Sequence, residues 1–294
     1  MYIDGVFSGG GIKGFALIGA YQAIEGKGLA FKRVAGTSAG SLISALIAAG
    51  YSSSEMLDLM EELDLGTFLD QRKTLLPTPL AKWLLLYWRL GLYKGEMLEK
   101  WIAKKLRDKG VVTFKDLPPE SLRIIASDLS NGRIIVIPDD LERYGISPAT
   151  FSVAKAVRMS CSLPYFFEPV KVKDYQGNIL VVDGGVLSNF PIWLFDEEKG
   201  LKKRPVLGVK LSGNSQQQEK NKINTAIDMF GALFETMKDA HDARHISRRH
   251  EKNIIFIPLE SGLTTEFGLN EEKKQQLILH GKNRAEAFLK TWGY

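Results

Sequence analysis

Phe31-Lys32-Arg33-Val34-Ala35-Gly36-Thr37-Ser38-Ala39-Gly40-Ser41-Leu42-Ile43-Ser44-Ala45-Leu46-Ile47-Ala48-Ala49-Gly50 is the stretch that decides the fold class. Phe31 to Ala35 reads as a short strand and Gly36 to Gly40 as a tight turn. Ser41 to Gly50 reads as a helix so rich in Ala, Leu and Ile that it must be buried on most sides. The residues before it repeat the unit. Tyr2 to Ser8 is a short apolar strand, Gly9 to Gly14 a glycine-rich turn, and Phe15 to Gly28 a helix with Ala16, Leu17, Ala20 and Ile24 on one face. Strand–turn–helix twice over marks an α/β domain with a parallel sheet. The expectation is a three-layer α/β/α domain whose central sheet is mostly parallel.

Beyond this core, Ser52 to Leu65 predicts an amphipathic helix and Gly95 to Lys109 another, with Met97, Leu98, Trp101, Ile102 and Leu106 inward. Arg123 to Asp128 and Arg133 to Ile137 flank Asn131-Gly132, a strong hairpin signal. Ser152 to Met159 is a helix, Ile179 to Val182 a strand ending in Asp183-Gly184-Gly185, and Pro205 to Leu211 a further strand. Ser212 to Asn224 is Gln- and Lys-rich without apolar periodicity, as in a surface loop. Thr225 to His250 reads as a long helix, Asn253 to Pro258 as a last strand and Asn270 to Trp292 as a closing helix. With no repeat or linker, one domain over residues 1–294 is expected. Its motif-bearing part is about 1–212 and its helix-rich part 213–294.

Hydrophobic content of 45% and charged content of 25% exclude disordered and collagen-like classes. The net charge of +5 is too mild, and too scattered, to indicate nucleic acid; it suits some attraction to anionic lipid. The single cysteine, Cys161, forms no internal disulfide and reads as a buried, inert thiol. Met1 to Phe7 lacks the charged and long apolar regions of a secretory signal, and no run reaches the ~18 apolar residues of a spanning helix. The expected location is cytoplasmic, with peripheral membrane contact.

Gly36-Thr37-Ser38-Ala39-Gly40 fits the Gly-x-Ser-x-Gly elbow, which needs small residues on either side of a strained serine between a strand and a helix. The same residues also suit a plain helix start with Ser38 or Thr37 as a cap. Gly9-Gly10-Gly11-Ile12-Lys13-Gly14 offers successive N–H groups at a strand end, a cradle for negative charge. In an acyl hydrolase it is an oxyanion hole built from Gly9, Gly10 and Gly11, with the Ala39 N–H beside them. It also fits Gly-x-Gly-x-x-Gly, the dinucleotide fingerprint, which wants an acid about 20 residues on where this chain has Lys32-Arg33. Asp183, taken as the end of a parallel strand, points toward the crevice where such sheets bind ligands; alternatively it is an ordinary Asp-Gly turn residue.

Together, Gly9 to Gly14, Gly36 to Gly40 and Asp183 to Gly185 resemble, in type and order, the motifs of the patatin-like phospholipases. Met159-Ser160-Cys161-Ser162-Leu163-Pro164 and Asn189-Phe190-Pro191 are similar to family segments flanking the aspartate. The resemblance covers residues 1 to 212. It implies a serine esterase with a Ser–Asp dyad and no cofactor. Ser38 attacks an ester carbonyl of a phospholipid or lysophospholipid to give an acyl-enzyme, and Asp183 is the base. Burial among Val181, Val182 and glycines would raise the Asp183 pKa and strengthen it as a base.

Other readings stand beside this one. An acyltransferase would use the same acyl-enzyme, and a nucleotide-binding oxidoreductase or a non-catalytic lipid-binding module would use the glycine loop differently. Ser38, Asp183 and His280 have the order of a conventional triad, but His280, like His241, His245 and His250, falls in a helical stretch. His241 and His245 share an i, i+4 spacing without the adjacent glutamate or third ligand of a zinc site, so no metal is expected. Leu75 to Tyr93 breaks the α/β pattern, and Leu75 to Leu92 within it is the segment linked to substrate. Trp83, Tyr87 and Trp88 with Lys82 and Arg89 suit either a lipid interface or a buried helix capping the core. Lys13 is a candidate phosphate contact or a solvated turn residue.

Overall fold

The computed structural model describes residues 1–61, 65–72, 78–175, 177–196, 204–213, 223–224, 226–246, 248–259 and 269–293. The strands are β1 (Tyr2–Phe7), β2 (Ala30–Thr37), β3 (Gly91–Tyr93), β4 (Leu122–Asp128), β5 (Arg133–Ile137), β6 (Tyr165–Phe167), β7 (Val170–Lys173), β8 (Asn178–Asp183), β9 (Val206–Gly213) and β10 (Ile254–Leu259). The helices are α1 (Phe15–Gly26), α2 (Ala39–Ala48), α3 (Ser53–Glu61), α4 (Thr78–Arg89), α5 (Glu96–Asp108), α6 (Val153–Ser160), α7 (Ala226–His245), α8 (Arg248–Glu251) and α9 (Glu271–Leu289).

The main sheet runs β10-β9-β1-β2-β4-β8-β7, with β5 paired to β4. From β10 to β4 every pairing is parallel; β5, β8 and β7 are antiparallel additions at one side. The period-2 alternation of a strand shows how both faces are filled. Ile3, Phe7, Val34, Leu207, Val209, Ile255 and Ile257 join the larger core with Leu17, Ile24 and Leu46 of α1 and α2. Val6, Ala35, Val206 and Ile254 point the other way, onto Phe190, Ile192 and Phe195.

Helix α1 is buried at nearly every position because it lies between the sheet and α9. The two helices approach through Gly19 and Gly281. A Cβ on Gly19 would stand 1.9 Å from the Ile278 carbonyl oxygen, and one on Gly281 1.9 Å from that of Ala16. Only hydrogen fits in either place.

The expected hairpin forms, with β4 and β5 antiparallel across Asn131-Gly132. Three short strands, β3, β6 and β7, carry no sequence signal of their own because three or four residues are too few for alternation to register. The Leu75–Tyr93 segment contains α4, and α4 leads into β3. The expected helix over Thr225–His250 divides into α7 and α8. The expected 212–224 loop begins later, since Ser212 and Gly213 complete β9, and most of it lies outside the described residues.

The Asp183 strand departs from expectation. β8 runs antiparallel to β4, with Asp183 paired to Ala126. Its neighbour Ile125 pairs with Thr37, the last residue of β2. An antiparallel strand entering from beyond the carboxyl edge thus ends level with the end of β2. That delivers its last side chain to the crevice as well as a parallel strand would.

Candidate active site

Ser38 stands between β2 and α2 with φ 51° and ψ −124°. Positive φ at a non-glycine residue is strained, and the surroundings must hold it. They do so on both sides. The Ser38 N–H donates to Ser160 Oγ at 2.8 Å, and that hydroxyl donates to the Ile125 carbonyl at 2.6 Å. The Ser38 carbonyl accepts from the Ser41 N–H and hydroxyl at 2.8 and 2.6 Å. The flanking glycines permit the closeness of the turn: a Cβ on Gly36 would meet the Gly40 carbonyl oxygen at 2.3 Å, and one on Gly40 that of Phe7 at 2.2 Å.

The capping alternative fails on these contacts. The Ser38 side chain caps nothing in α2, and the Thr37 hydroxyl donates to the Ser188 carbonyl at 2.9 Å. Instead Ser38 and Asp183 line one cavity, close enough for the Ser38 hydroxyl to favour the ionised carboxylate. Asp183 is 3% exposed. Its N–H donates to the Ser162 carbonyl at 2.9 Å, and its carboxylate accepts the Gly185 N–H at 2.7 Å. The Asp-Gly turn and a place on the cavity wall therefore coexist in one residue. Burial raises the carboxyl to about 6; the nearby Ser38 hydroxyl, the bond from Gly185 and the positive charge of Lys238 hold it from rising further.

The glycine loop divides unevenly. The Gly9 N–H donates to the Asn189 carbonyl at 3.1 Å, so Gly9 is an anchor and not an oxyanion donor as expected. Gly10 and Gly11 line a cavity of about 140 Å³ together with Ser38, Ala39 and Asp183. Ala39 and Gly11 open their helices, positions whose N–H groups helix geometry leaves without an intrahelical acceptor. Most of the cavity wall is apolar, including Ile12, Phe15, Ile18, Leu42, Met60, Phe68 and Phe166.

The other sequence-predicted residues lie apart. Lys13 is half-buried and Trp88 is 73% exposed, and neither is among the residues lining the cavity. The Trp83 side chain lies outside the described part. His280 Nε2 meets the Pro258 carbonyl at 2.8 Å and His250 pairs with Asp196, away from the cavity. Cys161 does line it, and burial, reinforced by the Asp183 charge, pushes its thiol up to about 12, which keeps it protonated.

Two supporting residues escaped the sequence reading. Ser160 holds the elbow, as above. Arg158 is 3% exposed and donates to the carbonyls of Lys94 (2.5 Å) and Glu168 (2.9 Å) and to the Ser162 hydroxyl. It thereby braces the segment that receives the Asp183 N–H. Their one sequence signal was the Met159–Pro164 segment as a whole, which named no role for either.

The patatin-like phospholipase profile matches residues 5–196. The chain belongs to that family. Members of it are lipid hydrolases at the level of class. Across its full length the chain is 60% identical to the uncharacterized protein YqhO of Bacillus subtilis, covering 100% of both. It is 28% identical to the probable lipid hydrolase 463L of invertebrate iridescent virus 6, over 64% of this chain and 61% of the viral one. Among solved structures, VipD of Legionella pneumophila superposes with a TM-score of 0.57 at 19% identity, over 99% of this chain and 67% of VipD. That likeness supports the fold alone.

Proposed function

We propose that this patatin-like protein hydrolyses a carboxylic ester of a phospholipid or lysophospholipid through a Ser38–Asp183 dyad. The observation that carries this is the meeting on one cavity wall of Ser38, held at positive φ, and a carboxylate whose burial raises it to about 6, close to the pH at which a general base is effective.

Ser38 Oγ attacks the carbonyl carbon as its proton passes to Asp183. The oxyanion is received by the N–H groups of Gly10, Gly11 and Ala39. Collapse breaks the ester C–O bond, and the proton on Asp183 goes to the departing alcohol. Water then attacks the acyl-enzyme, giving a proton to Asp183, and the fatty acid leaves as Ser38 regains its proton. The apolar wall supports an acyl chain there. The cavity is comparable with an engineered one of about 150 Å³ that binds benzene, so it takes the first carbons of the chain and the remainder lies toward the mouth. Exposed Tyr87 and Trp88 on α4 support peripheral contact with a lipid surface.

The test compares hydrolysis of a short nitrophenyl ester and a phospholipid by the wild type, Ser38→Ala, Asp183→Asn and a variant lacking all four histidines. Loss in the first two variants with retention in the last is expected. Full activity of Ser38→Ala, or a histidine-free variant as inactive as Asp183→Asn, overturns the dyad.

A further inference from the structure

The cavity wall has two unlike parts. One is apolar, formed by residues such as Phe15, Ile18 and Phe68. The other lies under α7, where Phe234 and Lys238 join Asp183 and Asn189. A Cβ on Gly185 would stand 3.2 Å from the Phe234 ring, so α7 sits directly over the Asp183–Gly185 turn. Lys238 is the one cation among the described residues lining the cavity. Its side chain is 9% exposed, and its ammonium pairs with Glu235 at 2.7 Å.

A lysine held this far from water costs desolvation free energy, and Glu235, 41% exposed, offsets it only in part. An ammonium has three donors, and Glu235 takes one of them. In an ester bound at Ser38 with its acyl chain among the apolar residues, the leaving alcohol lies beside Asp183, which returns its proton, and Phe234 of α7 stands against that turn.

We infer that Lys238 determines specificity on the leaving-group side: its ammonium receives the phosphate of the substrate's head group and so favours phosphate-bearing esters over neutral glycerides. This rests on the lipid-ester reading above. Glu235 competes with the phosphate for the same ammonium.

The experiment measures kcat and KM for a 1-acylglycerol 3-phosphate, the matching 1-acylglycerol and a neutral nitrophenyl ester. Assays at about pH 8, above the acid limb, separate binding from the effect of Lys238 on Asp183. The wild type is expected to prefer the phosphate ester. In Lys238→Met, kcat/KM for that substrate falls about tenfold or more, through KM. Relative to the two neutral esters the preference for the phosphate ester is lost, and Lys238→Arg restores it. Absence of a wild-type preference, or an equal fall on all three substrates, overturns the assignment. If Lys238→Met does not fold, Glu235→Gln decides: a lower KM for the phosphate ester alone supports the role, and an unchanged one overturns it. Failure of the hydrolase reading looks different, since the wild type would then turn over none of the three esters.

Discussion

In the first 196 residues, Ser38, Asp183 and the glycine loop are held by hydrogen bonds between turns; after residue 204, the residues on the cavity wall, Phe234 and Lys238, reach it by packing. Ser38, Asp183 and the glycine loop are tied to Ser160, Ser162 and Asn189 at distances of 2.8 to 3.1 Å. β9 backs the loop through Ser8, whose N–H donates to the Val209 carbonyl at 3.0 Å and whose hydroxyl accepts the Leu211 N–H at 2.9 Å, and also by contact. A Cβ on Gly10 would stand 2.2 Å from Leu211 Cδ1, while Phe234 and Lys238 form part of the cavity wall. The family profile ends at residue 196, yet β9 and β10 supply two of the five parallel strands. Chemistry needs named groups at fixed distances and leaves motifs; a wall needs only volume and shape, which many sequences provide.

If the division is right, changes in the two regions separate catalysis from stability. The largest separation is expected for Asp183→Asn, which lowers kcat by about 10³-fold or more. Its effect on stability has the opposite sign. The folded carboxyl titrates at about 6, above its ordinary value of 3.8, so the native state binds more protons than the unfolded chain between those pH values. Wild-type stability therefore falls as pH rises through that window, by on the order of 3 kcal/mol for a fully buried group. Thermal unfolding at about pH 8 should find Asp183→Asn more stable than wild type, with no difference below about pH 3. Equal stability at both would remove burial as the source of the raised pKa. The wild-type rate should correspondingly rise with pH through about 6 as Asp183 ionises.

Next in size is Gly281→Val, which drives a side chain into the α1 backbone. A loss of about 3 kcal/mol in denaturant unfolding is expected, with kcat per folded molecule unchanged. A large fall in kcat instead would show that the α1–α9 contact reaches the site. Ser160→Ala is smaller and falls on the other side of the comparison. It strands the half-buried Ser38 N–H, at a cost of about 1–3 kcal/mol, so kcat/KM should drop about 10- to 100-fold through kcat. A purely structural role would lower the melting temperature and leave kcat alone. The smallest effect belongs to His280→Ala, which removes one bond to the Pro258 carbonyl; activity within about twofold and a loss of about 1 kcal/mol are expected.

Much of this was legible in the order of residues. Tight turns and alternating or helical apolar spacing are local properties. The two strand–turn–helix units, the Asn131-Gly132 hairpin and the elbow at Ser38 therefore needed only neighbours in sequence to be recognised. The glycine loop and Asp183 were legible as a set. What lay beyond reach depends on which distant segments meet. The direction of β8 follows from its partner β4, and nothing within Asn178–Asp183 encodes it. The spending of the Gly9 N–H on Asn189, the support of Ser38 by Ser160 and the paired glycines of α1 and α9 likewise join positions more than a hundred residues apart. Local spacing carries no record of such pairings, because they arise only when the sheet brings their backbones together.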